Sequence, residues 1–318
     1  PRLAGRGVMS GQLSLWPGEE PGERIHWSVT RHRALESCER RYYYQYYGSR
    51  GGGQADAVPA LRELYMLKQL RTRFMWVGEI VHEMIELMLT SLHRGVRVPV
   101  DALIERGTRR MRAQYAESVQ RLYRLRPGQA CGLIEHEYDE AIAPEDWSSR
   151  RDAMQQCLHT FAGLPLVQAI LAAPAWRWLA VETLGSFELD GARIVAKPDL
   201  VWRSDDDAVE IIDWKTGASG PGVIDELQVA VYGLHALRAW GADPERLRAR
   251  LVFLGSGLES PYALDAHALA RADDSIKASV MRMRSLALDG PRGEDAFART
   301  EDLGRCRHCP FRRPCGRA

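Results

Sequence analysis

Residues 210–217 read "EIIDWKTG", and the fold turns on how this octapeptide is accommodated. Two adjacent isoleucines predict a buried strand, yet the strand then carries Asp213 and Lys215 into the same dry region. With a side-chain period of two, Val209, Ile211, Asp213 and Lys215 share one face, while Ile212 and Trp214 occupy the other. A simple Asp213–Lys215 ion pair explains little, because side chains two apart on one strand splay. Burying both charges without further partners costs several kcal/mol. That face is therefore expected to hold something else.

A second acid raises the same question upstream. Asp199 ends the apolar stretch "RIVAKPD", fourteen residues before Asp213, and "RSDDDA" (203–208) between them is a turn. The two strands are thus expected to run antiparallel and to bring both carboxylates to one point. Two acids and a lysine at the end of a twisted hairpin suit a divalent metal, which neutralises the carboxylates while the lysine orients or activates a water. Each acid alone is more often a turn residue or half of an ion pair. Their common spacing carries the reading.

The chain of 318 residues, 45% of them hydrophobic, can bury one large core or two modest ones. A net charge of +1 confines any nucleic-acid surface to a local patch. No apolar run approaches a membrane span and no signal peptide is evident, so a soluble cytoplasmic protein is expected. The sequence opens at Pro1, with Met9 one candidate start. "GSRGGGQAD" (48–56) reads as a flexible loop, and no Gly-Lys-Ser/Thr opens a helix after it, so nothing points to ATP.

The pattern predicts a helix over 30–47, one or two over 60–94 with the second near 77–93, and mainly helix over 100–175, broken near Pro144 and Pro165. Strand signals follow in "WLAVETLGSFEL" (178–189), "ARIVAKPDLVWR" (192–203) and the stretch around Asp213. A helix is expected near 224–240, a strand in "ARLVFLGSG" (249–257) and a helix near 265–288. The class is α+β, with a short mixed sheet flanked by helices after a large helical half. The expected divisions are a flexible N-terminal arm (1–24), a helical region (25–175), a core (176–290) and a cysteine-rich tail (291–318).

"KPD" at 197–199 and "DWKTG" at 213–217 together resemble the core of the PD-(D/E)xK nucleases, specifically the RecB-like branch. That branch also carries Gln and Tyr four apart on the next helix, here Gln228 and Tyr232 in "LQVAVYG". Its upstream Gly-x-x-x-His-x-x-x-Glu helix is matched by Gly78, His82 and Glu86 in "GEIVHEMIE", where His82 and Glu86 face the same way. Each match is weak alone, and the three in order are specific. The resemblance implies a restriction-endonuclease-like core in which Asp199 and Asp213 ligate the metal, with the Trp214 carbonyl and His82 completing the shell. An imidazole ligand favours Mn²⁺, with Mg²⁺ also usable. Lys215 would position the attacking water, and Gln228 and Tyr232 would hold the site and the DNA beside it, or only satisfy their own helix and strand. Glu182 would touch a second metal or hydrogen-bond the loop.

The implied activity is metal-dependent hydrolysis of DNA phosphodiesters, as an exonuclease preferring single strands or ends, in repair, recombination or defence. The alternative is a non-catalytic DNA-binding scaffold. The intact Asp199, Asp213 and Lys215 argue against it.

Six cysteines are few for a secreted disulfide scaffold. Cys306, Cys309 and Cys315 in "CRHCPFRRPC" supply three thiolates, one short of a closed site. The RecB-like nucleases with an iron–sulfur cluster, among them AddB-type subunits and CRISPR-associated exonucleases, take the fourth from a helix before the core. "SVTRHRALESCERRYYYQYY" (28–47) resembles that segment, with Glu39 where a proline often follows the cysteine. The resemblance implies that Cys38, Cys306, Cys309 and Cys315 bind a 4Fe-4S cluster that staples the two ends of the chain. Four cysteines, with His308 in the motif, also suit a structural Zn²⁺. Cys131 and Cys157 read as ordinary buried thiols.

The segment 106–127 carries seven arginines interleaved with Tyr115 and Tyr123, and the tail carries five more around its cysteines. Such patches contact phosphates and stack on bases, although residue by residue they read as a solvated helix face. Finally, Gln12, Leu13, Ser14, Leu15 and Trp16 resemble the short motif by which bacterial polymerases and repair factors dock on the sliding clamp. The glutamine offers amide hydrogen bonds, and the leucine and tryptophan fill an apolar pocket. Otherwise Leu13, Leu15 and Trp16 pad the core.

Overall fold

The computed structural model describes residues 25–217, 220, 222–287 and 293–317. The Gln12–Trp16 segment lies outside them.

A two-residue strand, β1 (His26–Trp27), leads into α1 (Val29–Ser37), which starts where the Ser28 hydroxyl accepts the Arg31 N–H at 3.2 Å. The helix expected over 30–47 is not continuous. Cys38 is extended (φ −175°, ψ 121°), and the chain restarts as α2 (Glu39–Tyr43) before a π-helical turn at Tyr44–Gly48. The glycine-rich stretch after it is a series of turns rather than a free loop. Gly52 is buried so closely that a Cβ would lie 2.2 Å from the Leu61 carbonyl oxygen.

Six helices follow: α3 (Pro59–Lys68), α4 (Arg73–His93), α5 (Val100–Val119), α6 (Ile134–Glu137), α7 (Pro144–Gly163) and α8 (Pro165–Ala172). Pro144 and Pro165 each open a helix, where a missing N–H costs nothing. Then come β2 (Trp178–Val181), β3 (Gly185–Leu189), β4 (Ala192–Ala196), β5 (Leu200–Arg203) and β6 (Val209–Lys215). They are followed by α9 (Val223–Ala239), β7 (Leu247–Phe253), β8 (Leu258–Ala263), α10 (Ala266–Ala287) and α11 (Leu303–Arg307).

The main sheet has the order β2-β5-β6-β7-β8, with β6 and β7 parallel and the other pairs antiparallel. The hairpin expected around "RSDDDA" is there, pairing Leu200 with Ile212. The stretch 192–203, however, is two strands in two sheets. β4 pairs with β1 and β3, and the chain crosses at Lys197-Pro198-Asp199 to begin β5 in the main sheet.

β6 is the central strand, and its two faces divide as its alternation predicts. Val209 and Ile211 join a core with residues of α1, α9 and α10, while Ile212 and Trp214 join a second core with residues of α4, α5, α7 and α8. A strand buried on both faces is near-continuously apolar for this reason. Asp213 and Lys215 therefore sit on the α9 side, at the strand's C-terminal end. A third, smaller core gathers Tyr44, Leu67, Tyr123, Ile134, Phe311 and Cys315, so the tail packs on the helical half. No helix among the described residues is long and apolar enough to cross a membrane.

Candidate active site

Asp199 and Asp213 meet because β5 and β6 form a hairpin. One Asp199 oxygen accepts the backbone N–H of Trp214 at 2.7 Å, which fixes its carboxylate against β6. Its other oxygen lies 3.4 Å from His82 Nδ1. His82 is on α4, and that helix approaches the end of β6 closely enough that a Cβ on Gly78 would touch Thr216 Oγ1 at 3.4 Å. Glu182 completes the group, with Oε1 3.4 Å from His82 Nδ1 and Oε2 2.6 Å from Lys197 Nζ.

One ligand atom each from His82, Glu182 and Asp199 falls within 4.8 Å of the others, and no other such trio occurs among the described residues. Two carboxylates and an imidazole form a donor set for Mn²⁺ or Mg²⁺. Glu182 reaches it through a left-handed backbone (φ 47°) just after β2, an uncommon conformation for a non-glycine residue. Its N–H is tied to the Asp199 carbonyl at 2.9 Å. Burial opposes protonation of His82, yet Asp199 and Glu182 raise its pKa well above the ordinary value. The site attracts positive charge.

Asp213 lies beside this trio and faces α9. It is 1% exposed, and burial together with the charge of Asp199 pushes its carboxyl up to about 6. Gln228 Nε2 donates to Asp213 Oδ1 at 3.1 Å and to the Tyr232 hydroxyl at 2.7 Å. Gln228 thus does more than satisfy its own helix, because it bridges to the acid, while the Tyr232 hydroxyl meets Gln228 within α9. Lys215 Nζ lies 2.7 Å from Asp213 Oδ2, a close ion pair that the splay of side chains two apart on one strand does not predict. The lysine also contacts Asp225 Oδ1 at 3.0 Å and donates to Gln228 Oε1 at 3.2 Å. Burial lowers the Lys215 pKa, but Asp213 and Asp225 outweigh it and the amine is held charged. Of the expected ligands, His82 and Asp199 fall in the trio with Glu182, Asp213 stands beside it, and Trp214 contributes its N–H to Asp199.

Two residues were not legible as members of the site. Asp225, in the first turn of α9, reads as a helix N-terminal acid, and Arg33 on α1 reads as an exposed helical arginine. Yet Arg33 Nη2 donates to Gln228 Oε1 at 2.9 Å and to Asp225 Oδ1 at 3.3 Å. No local signal links positions nearly two hundred residues apart.

The four cysteines Cys38, Cys306, Cys309 and Cys315 line one pocket, together with Arg41, Tyr44 and three tail arginines. No three of their sulfurs lie within 4.8 Å of one another. Burial pushes the Cys309 thiol up to about 11. The tail is held there by Phe311, packed on Tyr44 at 5.5 Å, and by the Tyr138 hydroxyl, which donates to the Pro310 carbonyl at 2.6 Å. Cys131 and Cys157 are buried elsewhere.

The arginine-rich segment is more occupied than its sequence suggests. Arg109, Arg121 and Arg124 pair with Glu105, Asp139 and Glu137. Tyr123 is buried with its hydroxyl on Glu137, and Tyr115 packs edge-on against His136 and Trp147. Tyr115 remains half-exposed.

The sequence model of the PD-(D/E)XK nuclease superfamily matches residues 26–316. No curated protein matches the chain. Among solved structures, one titled "Crystal structure of SSO0001" is similar at 15% identity, covering 71% of this chain and 93% of that one, with a TM-score of 0.29.

Proposed function

This chain belongs to the PD-(D/E)XK nuclease superfamily, and from that premise we propose that it is a metal-dependent deoxyribonuclease of the RecB-like kind, an exonuclease acting on single strands or free ends in DNA repair, recombination or defence. The observation that carries the reading is the convergence of Asp199, Glu182 and His82 beside the Asp213–Lys215–Gln228 network. A lone buried ion pair would need none of the trio, whose two carboxylates and imidazole suit a cation. When bound, a divalent ion stabilises the charge that builds on the phosphate.

The chain's own residues supply the rest. Asp199, Glu182 and His82 would hold the ion, with Asp213 and the Trp214 carbonyl the further candidates at the end of β6. Lys215 Nζ orients the attacking water, and its rotation is limited by Asp225 and Gln228. Gln228 keeps acid and amine in register, and buried Tyr232 keeps Gln228 in place.

His82→Ala tests the ligand set. It should raise the Mn²⁺ concentration for half-maximal cleavage about tenfold or more, with activity partly restored at high Mn²⁺. If added Mn²⁺ restores nothing, His82 acts on substrate or structure instead.

The same reading gives the four tail-and-helix thiols a 4Fe-4S cluster. What supports it is one pocket lined by all four, with arginines to balance the anionic cluster. The Gln12–Trp16 segment is assigned to a bacterial sliding clamp. A peptide of residues 10–18 should bind a clamp at micromolar strength, and Leu15→Ala with Trp16→Ala should abolish it. An intact protein with no measurable clamp affinity would remove that partner.

A further inference from the structure

Two cations are held side by side at the mouth of the site by shared acceptors. Gln228 Oε1 accepts from Arg33 Nη2 at 2.9 Å and from Lys215 Nζ at 3.2 Å. Asp225 Oδ1 stands 3.3 Å from the first and 3.0 Å from the second. Their environments differ. The Lys215 side chain is 19% exposed, whereas that of Arg33 is 42% exposed. The contacts that Arg33 makes with Asp225 and Gln228 use Nη2, so Nε and Nη1 of its five-donor fork take no part in them.

The guanidinium is also fixed from behind. α1 is capped by Ser28 at one end, and at the other the Glu36 and Ser37 carbonyls accept from Arg305 Nη1 at 3.1 and 3.2 Å. A planar fork on a pinned helix, next to a charged lysine, is a phosphate-recognition device. As a mere surface ion pair with Asp225 it would contribute at most about 1 kcal/mol to stability.

We propose that Arg33 is a substrate-binding residue, whose guanidinium donates to a non-bridging oxygen of the DNA phosphodiester that Lys215 faces. The inference rests on the nuclease reading above.

The test is binding of a fluorescent single-stranded oligonucleotide in EDTA across a potassium chloride series, followed by cleavage in Mn²⁺. Arg33→Ala should weaken binding about tenfold at low salt, as befits loss of one charge-assisted hydrogen bond. It should also flatten the slope of log affinity against log salt by about 0.7, the value for one phosphate contact on a single strand. Arg33→Lys should restore the slope, and in Mn²⁺ the alanine variant should raise KM more than it lowers kcat. Melting temperature should stay within about 2 °C, as expected for an exposed pair. An unchanged slope and KM in a wild type that cuts DNA would overturn the proposal. A wild type that binds DNA without cutting would contradict the nuclease reading while the slope still decides Arg33. One without DNA affinity would overturn both.

Discussion

Replacing Asp213 or Lys215 by alanine is expected to lower Mn²⁺-dependent DNA cleavage by at least about a thousandfold, the scale on which a preorganised charge at a reacting centre acts. DNA affinity and fold should change little, because the nucleic acid is held by other groups and both side chains end in a polar network rather than in a core. The expected loss differs in kind between the two. Asp213 shares a cation with Asp199, so its variant should bind Mn²⁺ more weakly. Lys215 acts on water, so its variant should bind the metal normally and still fail to cut.

Asp213 also makes a stability prediction with a definite sign. Burial and the nearby Asp199 charge lift its carboxyl from 3.8 to about 6. The folded state then holds the proton more tightly than the unfolded chain. Stability from this group is present below about pH 4 and lost as pH rises through about 6. Asp213→Asn removes the ionisation, so in EDTA it should melt no lower than wild type at pH 8, with its relative advantage shrinking toward pH 4. A variant that cuts DNA near the wild-type rate, or an asparagine form clearly less stable at pH 8, would show that the site has been misread.

The second large effect concerns the cysteines. Anaerobically purified protein should be brown, with the broad absorbance of a thiolate-ligated iron–sulfur cluster, and Cys309→Ser should bleach it. The variant should also lose roughly 5 kcal/mol of stability, the order expected for a cross-link closing a loop of more than 100 residues. Cys38 follows α1, and Cys306 to Cys315 lie at the opposite end of the chain. Packing alone already brings these segments together, through Phe311 on Tyr44 and the Arg40 side chain on the Phe297 carbonyl at 3.0 Å. The variant is therefore expected to fold but to melt early. Colourless protein carrying stoichiometric zinc and no iron, prepared without oxygen, would replace the cluster by a zinc site.

The parts of this account that were legible in the sequence are those with a local period. The alternation in "EIIDWKTG" placed Ile211 and Ile212 in different cores, and the polar run 203–208 placed Asp199 opposite the end of β6. Gln228 and Tyr232 were readable only through the resemblance to the RecB-like branch, which carries Gln and Tyr at that spacing. β1 was not readable, since two residues carry no period and its partner Ile194 is far away in sequence. β8 was hidden by Pro261, which fits an edge strand and argues against an interior one. Glu182 was named for a second metal or a loop hydrogen bond, but its place in the trio depends on a left-handed backbone that its neighbours in sequence do not announce. Arg33 depends on how α1 docks against α9, a purely tertiary event. The break at Cys38 belongs to the same class, because only the extended backbone there separates α1 from α2.

The most direct measurement is the fate of end-labelled single- and double-stranded DNA incubated with the anaerobically purified protein, with Mn²⁺ and with EDTA. The account predicts shortened products in Mn²⁺, formed faster from the single strand, and intact DNA in EDTA. Intact DNA under both conditions, from a protein shown to bind Mn²⁺ at the Asp199 site, would contradict it.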